Sequence, residues 1–222
     1  MARVSGVEQL GAYHLITAVD HAGPSDPRPG QFYMLAAEQR WGGGVDERPY
    51  LPRAFSHARV GGAGDGVETA PGDGDTPAPA GVSLSFLLET VGPGTERLSR
   101  LGPGEGLSLV GPLGIGFRRP PEGAPALLVG GGIGVAPLLC LQEELPEARA
   151  LLGFRTAAHA QAAALFPGEP EIVTDDGSVG RQALVTEPLA QALDAEPSTV
   201  VFACGPPEML EAVRILCTAR GV

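Results

Sequence analysis

At 222 residues the chain has room for one large domain or two small ones, and 43% apolar residues can fill a core. The formal net charge is −11, and all 15 basic residues are arginine, a balance that argues against nucleic-acid binding, which needs clustered positive charge to displace counterions. Met1 to Gly6 lacks the apolar core of a signal peptide, and the longest apolar stretch, Ala124 to Leu141, is broken by four glycines and two prolines, so neither a leader nor a membrane span is expected and a cytoplasmic protein without a membrane partner is predicted.

The first half reads as β. Tyr13 to Val19 is a predicted strand ended by the turn-rich Gly23-Pro24-Ser25-Asp26-Pro27, and Gln31 to Ala36 is the next. Trp41 to Gly44 is expected to be a loop, Pro52 to Val60 a third extended run, and Val82 to Glu89 a strand by its alternation. Gly94 to Leu101 is expected to form one short helix, and Gly106 to Val110 a further strand. Short strands with turn signals between them predict a small barrel or sandwich. Between them, residues 61–81 hold seven glycines, three prolines and several acids, with almost nothing to bury, and are expected to be a flexible insertion.

From Ala124 the period changes. Strands are predicted at 126–129, 149–154, 171–174 and 199–203, alternating with helices that begin near Val135, Thr156, Gln182 and Pro207. This repetition predicts a parallel sheet with helices on its faces and ligands at the carboxyl ends of the strands. A boundary at Arg119 to Gly123 gives two expected domains, 1–122 and 123–222.

Leu127 to Pro137 is the most informative run: an apolar strand enters Gly130-Gly131-Gly132-Ile133-Gly134, and a new apolar periodicity follows. Glycines there let a backbone approach a ligand, and the amides opening the next helix suit a pyrophosphate. The same pattern also serves strand–helix packing, and the run alone does not separate the two. Cys140, Cys204 and Cys217 are too few and too spread for a disulfide framework or a Cys-x-x-Cys metal site, and His14, His21, His57 and His159 share no ligand spacing, so solvated or capping roles are expected for them.

Taken in order, Pro29-Gly30-Gln31-Phe32, Leu51 to Ser56, Gly111 to Phe117, Leu128 to Leu139, Gly153-Phe154-Arg155, Asp176 to Gly180 and Ala203-Cys204-Gly205-Pro206 resemble the ferredoxin–NADP reductase superfamily, and within it the electron-transfer subunits of class 1B dihydroorotate dehydrogenases. The resemblance implies an oxidoreductase component with a ferredoxin-reductase-like fold: an N-terminal antiparallel FAD-binding β-barrel, then an α/β nucleotide-binding domain. It implies that Arg53, Ala54, Phe55 and Ser56 form the flavin strand, with Arg53 at the pyrophosphate and Ser56 at the ring or ribityl chain. Ala54 stands where the family has proline, and Arg48-Pro49-Tyr50-Leu51 is a competing register without the serine. A second flavin segment falls on Leu87, Leu88 and Glu89, where an aromatic and a basic residue are expected of the family, and its helix start on Gly94 and Thr95. Gly130 to Gly134 are expected at the NAD pyrophosphate and Cys204, Gly205 and Pro206 at the nicotinamide, with no residue acting as acid or base. Asp175 and Asp176 would repel a 2′-phosphate, favouring NADH over NADPH.

The implied partner is an FMN-containing dihydroorotate dehydrogenase catalytic subunit, in a heterotetramer serving pyrimidine (UMP) biosynthesis. The family also carries a [2Fe–2S] cluster on four closely placed cysteines beyond the last helix, and the sequence ends at Val222 with only three scattered cysteines, so this chain is expected to lack those ligands. Two other roles stay open at this stage: a reductase subunit for a different partner, such as a hydrogenase, sulfide dehydrogenase or oxygenase, and a non-catalytic interaction subunit.

Overall fold

Alternation along Val82–Glu89 explains how two structural units come to share a wall. Val82, Leu84, Phe86 and Leu88 point into one apolar cluster with Ile16, Tyr33, Leu35 and Leu107. Leu87 points the opposite way, into a second cluster with Leu15, Ala58, Leu138 and Leu139. The core-facing side is apolar throughout, whereas the other side carries Ser83, Ser85 and Glu89 beside Leu87, with Ser85 Oγ 3.0 Å from Thr17 Oγ1.

The structure is a computed structural model that describes residues 1–38, 51–62 and 81–222, with backbone alone at 42–43 and 48–49. The central part of the expected 61–81 insertion, residues 63–80, lies outside the described residues, as do Trp41, Gly44, Tyr50 and the side chains of Arg48 and Pro49.

The first unit is a closed antiparallel barrel of six strands. They are β1 (Ala2–Leu10), β2 (Tyr13–Asp20), β3 (Phe32–Ala37), β6 (Arg53–Gly62), β7 (Val82–Glu89) and β8 (Gly106–Leu113), in the order β1-β2-β7-β6-β3-β8. The two-residue strands β4 (Gly42–Gly43) and β5 (Arg48–Pro49) pair with each other, so the expected loop carries a backbone pairing. Strand β1 was not expected from the sequence. Its polar run Arg3-Val4-Ser5-Gly6 hides the pattern because the register to β2 shifts between Val4 and Gly6. A short helix α1 (Pro93–Ser99) buries Leu98 in the barrel core.

The second unit is a parallel sheet in the order β12-β11-β10-β9-β13, from β9 (Ala126–Gly131), β10 (Arg149–Phe154), β11 (Glu171–Thr174), β12 (Arg181–Gln182) and β13 (Val200–Cys204). Helices α2 (Val135–Glu144), α3 (Ala157–Ala160) and α4 (Thr186–Ala195) lie in the connections between them, and α5 (Pro207–Arg220) follows β13. The helix expected near Gln182 starts later. Arg181 pairs with Val173, the Gln182 side chain donates to the Asp175 carbonyl at 3.0 Å, and helical backbone begins only at Thr186. Near Thr156 the chain makes a single helical turn, α3, followed by a 3₁₀ turn at Gln161–Leu165.

Helix α2 is buried from Val135 to Gln142, and its apolar side chains pack with Leu15, Ala58 and Leu87 of the barrel and Leu128, Leu152 and Phe202 of the sheet. A helix apolar on all sides needs such enclosure. Strands β10 and β13 lie on opposite sides of β9, so the order reverses there, and a crevice opens beyond the carboxyl ends of β9 and β13.

Candidate active site

The crevice is a cleft of about 890 Å³ whose walls come from both units, a volume within the range of about 300–1,000 Å³ usual for ligand sites. From the barrel come Ala54, Phe55 and Ser56 on β6 and Leu87 and Glu89 on β7; from the sheet come Gly131, Gly132, Ile133, Gly134, Cys204, Gly205 and Pro206. The structure thus gathers twelve of the seventeen expected binding residues around one space, from positions as far apart as Ala54 and Pro206.

The other five lie elsewhere. Leu88 has no exposed surface and belongs to the barrel core. Gly130 is a packing glycine, since a Cβ there would lie 3.0 Å from both Leu152 and Val135 side chains. Arg53, Gly94 and Thr95 form a group at the end of β6: a Cβ on Gly94 would stand 3.4 Å from the Arg53 guanidinium, which also donates to the Leu51 carbonyl at 2.7 Å. Of the capping and binding roles open to Thr95, its hydroxyl takes the first. It accepts from the Val91 and Gly92 amides at 2.9 and 3.2 Å and donates to the Gly92 carbonyl at 3.0 Å, leaving the side chain with no capacity for a ligand.

The glycine run divides its labour. Gly131 is covered by the Met209 thioether, and a Cβ on Gly134 would lie 2.6 Å from the carbonyl carbon and oxygen of Cys204, so these two let the turns after β9 and β13 close on each other. Gly132 differs. It has φ +54, and the single neighbour a Cβ would meet within 4 Å is the Tyr13 hydroxyl at 3.8 Å. Its bare backbone faces the cleft, immediately before the buried helix α2. That open cradle, beneath a cavity of this size, fits an extended dinucleotide lying over a backbone turn.

Three contacts in the cleft were not foreseen from the sequence. Tyr13 is 1% exposed and lines the space, its hydroxyl held in the neutral form by burial and by the neighbouring Glu89 carboxylate. Arg155 and His159 reach Glu89 from the sheet side, at 2.6 and 3.3 Å. His159 Nδ1 lies 2.9 Å from the Thr156 hydroxyl, and the ring is neither solvated nor a helix cap but part of this cross-unit group. Asp175 lines the cleft, whereas Asp176 is turned into a local loop in which Ser178 donates to it from both its amide and its hydroxyl, holding its carboxyl below the usual range.

None of the three cysteines is activated. Burial raises the Cys204 and Cys217 thiols, and it pushes Cys140 up to about 12 with help from Glu143 and Glu144. They sit on three separate elements, and among the described residues no group of three or more His, Cys, Asp or Glu is placed to hold a metal. These side chains do not fit an iron–sulfur ligand set. Among the described residues no helix is long and apolar enough to cross a membrane.

No family model matches the chain. It is 34% identical over 180 residues to the dihydroorotate dehydrogenase B (NAD+) electron transfer subunit of Desulforamulus reducens, covering 78% of this chain and 68% of the relative. It is 32% identical over 203 residues to the subunit of that name from Clostridium acetobutylicum, covering 90% and 70%. In three dimensions it resembles a ferredoxin reductase of carbazole 1,9a-dioxygenase, with TM-score 0.72, 24% identity and coverage of 100% and 65%. It also resembles an NADH-dependent reduced ferredoxin-NADP oxidoreductase, with TM-score 0.70, 21% identity and coverage of 98% and 72%. These two likenesses establish a ferredoxin-reductase-like fold.

Proposed function

The chain belongs to the family of dihydroorotate dehydrogenase B (NAD+) electron transfer subunits, and from that premise we propose that it passes electrons between a dihydroorotate dehydrogenase catalytic subunit and NAD+ through FAD, in pyrimidine (UMP) biosynthesis. The observation that carries this reading is the shared cleft, in which the barrel residues Ala54–Ser56, Leu87 and Glu89 face the glycine turn and the Cys204-Gly205-Pro206 turn.

FAD, when bound, supplies the link between hydride exchange with NAD(H) and electron exchange with the partner's FMN. The residues of this chain bind and orient. Arg53, beside the start of α1, is the fork-shaped donor for the flavin pyrophosphate, and Ser56 offers a hydroxyl to the flavin from the wall of the cleft. Gly132 lets the nicotinamide dinucleotide lie against backbone, and the turn Cys204–Pro206 bounds the nicotinamide end. Cys204, with its thiol kept protonated by burial, acts as a small contact surface. Hydride exchange between stacked rings asks for alignment and exclusion of water, which these apolar walls provide without a protein acid or base. Net chemistry in the assembled enzyme is the two-electron oxidation of dihydroorotate coupled to reduction of NAD+. The partner is the FMN-containing catalytic subunit, in a heterotetramer.

Purification with added flavin and anaerobic titration with NADH tests the reading. The expected result is one FAD retained in preference to FMN and complete bleaching by NADH. Protein that stays colourless, or a bound flavin that NADH leaves oxidised, overturns it.

A further inference from the structure

Glu89 ends β7 on the outer face of the barrel and is the meeting point of the two units. Arg155 donates from Nη2 to Glu89 Oε1 at 2.6 Å, and the same Nη2 lies 2.8 Å from His159 Nε2. His159 Nε2 is 3.3 Å from that carboxylate oxygen, its Nδ1 is 2.9 Å from Thr156 Oγ1, and its ring stands edge-on to Tyr13 at 5.6 Å. The two partners of Glu89 are therefore unlike: the His159 side chain is 14% exposed and fixed on three sides, while that of Arg155 is 65% exposed.

Among the described residues Arg155 is the one arginine lining the cleft, where the other charged groups include the carboxylates Glu89, Asp175 and Glu208. Its place follows from register. Gly153 on β10 pairs with Gly131 on β9, so Arg155 leaves the sheet next to the open turn at Gly132. A dinucleotide brings two phosphate charges to that turn, and a guanidinium is the side chain that meets phosphate through paired donors.

We propose that Arg155 is a positioning residue that leaves Glu89 for a phosphate of the incoming nicotinamide dinucleotide, while His159 keeps Glu89 partnered. The proposal rests on the reading of this cleft as a nicotinamide-dinucleotide site. Its consequence is that Glu89 competes with the ligand for one cation and so lowers affinity. The exchange is a side-chain movement and needs no parting of the two units.

Calorimetric titration of the FAD-loaded protein with NAD+ tests it. Arg155→Ala weakens NAD+ binding about tenfold or more, the scale of a lost charged hydrogen bond. Glu89→Gln tightens NAD+ binding severalfold, and the double variant binds like Arg155→Ala alone, because competition requires the competed cation. Wild-type binding with no tightening in Glu89→Gln overturns the exchange and leaves the pair a fixed tie. Loss of FAD from Arg155→Ala with unchanged NAD+ affinity in the loaded fraction also overturns it, by giving the guanidinium to the flavin. Wild-type protein that retains FAD yet binds no NAD+ overturns the underlying reading along with the proposal.

Discussion

Acid should loosen this fold through His57. The residue lies on β6 with no exposed surface, neither ring nitrogen has a hydrogen-bond partner among the described residues, and Tyr33 stands edge-on to it at 6.0 Å. Burial pushes its imidazole from the ordinary 6.5 down to about 4. With the folded value below the unfolded one, the unfolded chain takes up the proton first as pH falls. The contribution is therefore complete above about pH 6.5 and is lost progressively as pH drops toward 4. At 1.36 kcal/mol for each tenfold difference in proton affinity, the loss is about 2 kcal/mol between about pH 7 and pH 5 and about 3 kcal/mol at the lower limit. Urea unfolding of the wild type and of His57→Leu, which keeps an apolar volume without a titrating group, isolates the effect from that of the surface carboxylates. The difference in unfolding free energy between the two proteins should change by about 2 kcal/mol across that window. A difference that stays flat with pH refutes the reasoning.

Arg53→Ala should weaken FAD retention by about 1.5–3 kcal/mol, measured by equilibrium dialysis, and an unchanged affinity would remove Arg53 from the flavin site. Wild-type protein should be reduced faster by NADH than by NADPH, and Asp175→Asn should narrow that gap more than Asp176→Asn, because only Asp175 lines the cleft. A preference for NADPH in the wild type would contradict the carboxylate argument. Gly134→Ala should cost about 1–3 kcal/mol, since its Cβ would meet the Cys204 backbone rather than a side chain that can swing away. An unaltered melting temperature for that variant would show that the two turns have room to separate.

The sequence made the strand and helix order legible wherever one period dominated. Tyr13–Asp20, Val82–Glu89 and the four alternating strands of the sheet all stood out by their apolar spacing. Parity along β7 carried information that motif matching passes over: Leu88 shares parity with Leu84 and Phe86, so it belongs to the core, and Glu89 shares parity with Leu87, so it belongs to the cleft. Strand β1 was lost because its bulge breaks the period, and Arg181–Gln182 because two residues carry no period at all. The group formed by Glu89, Arg155 and His159 could not be read in advance, since its partners are 66 and 70 positions apart and meet only after the barrel and sheet have packed. For the glycine run the sequence indicated close approach without saying to what. Three of its four glycines are packed closely by protein, and Gly132 alone leaves room above its backbone.

Helix α2 makes barrel and sheet a single apolar body, with Ala58, Leu87 and Leu139 buried in one cluster. Hinged opening would return such side chains to water, at roughly 1.5–3 kcal/mol for each large one exposed. The frame that spaces flavin and nicotinamide is consequently established when the chain folds, not rebuilt at every turnover. Melting should be a single calorimetric event, with neither unit surviving the other, and loss of ring alignment should coincide with loss of structure.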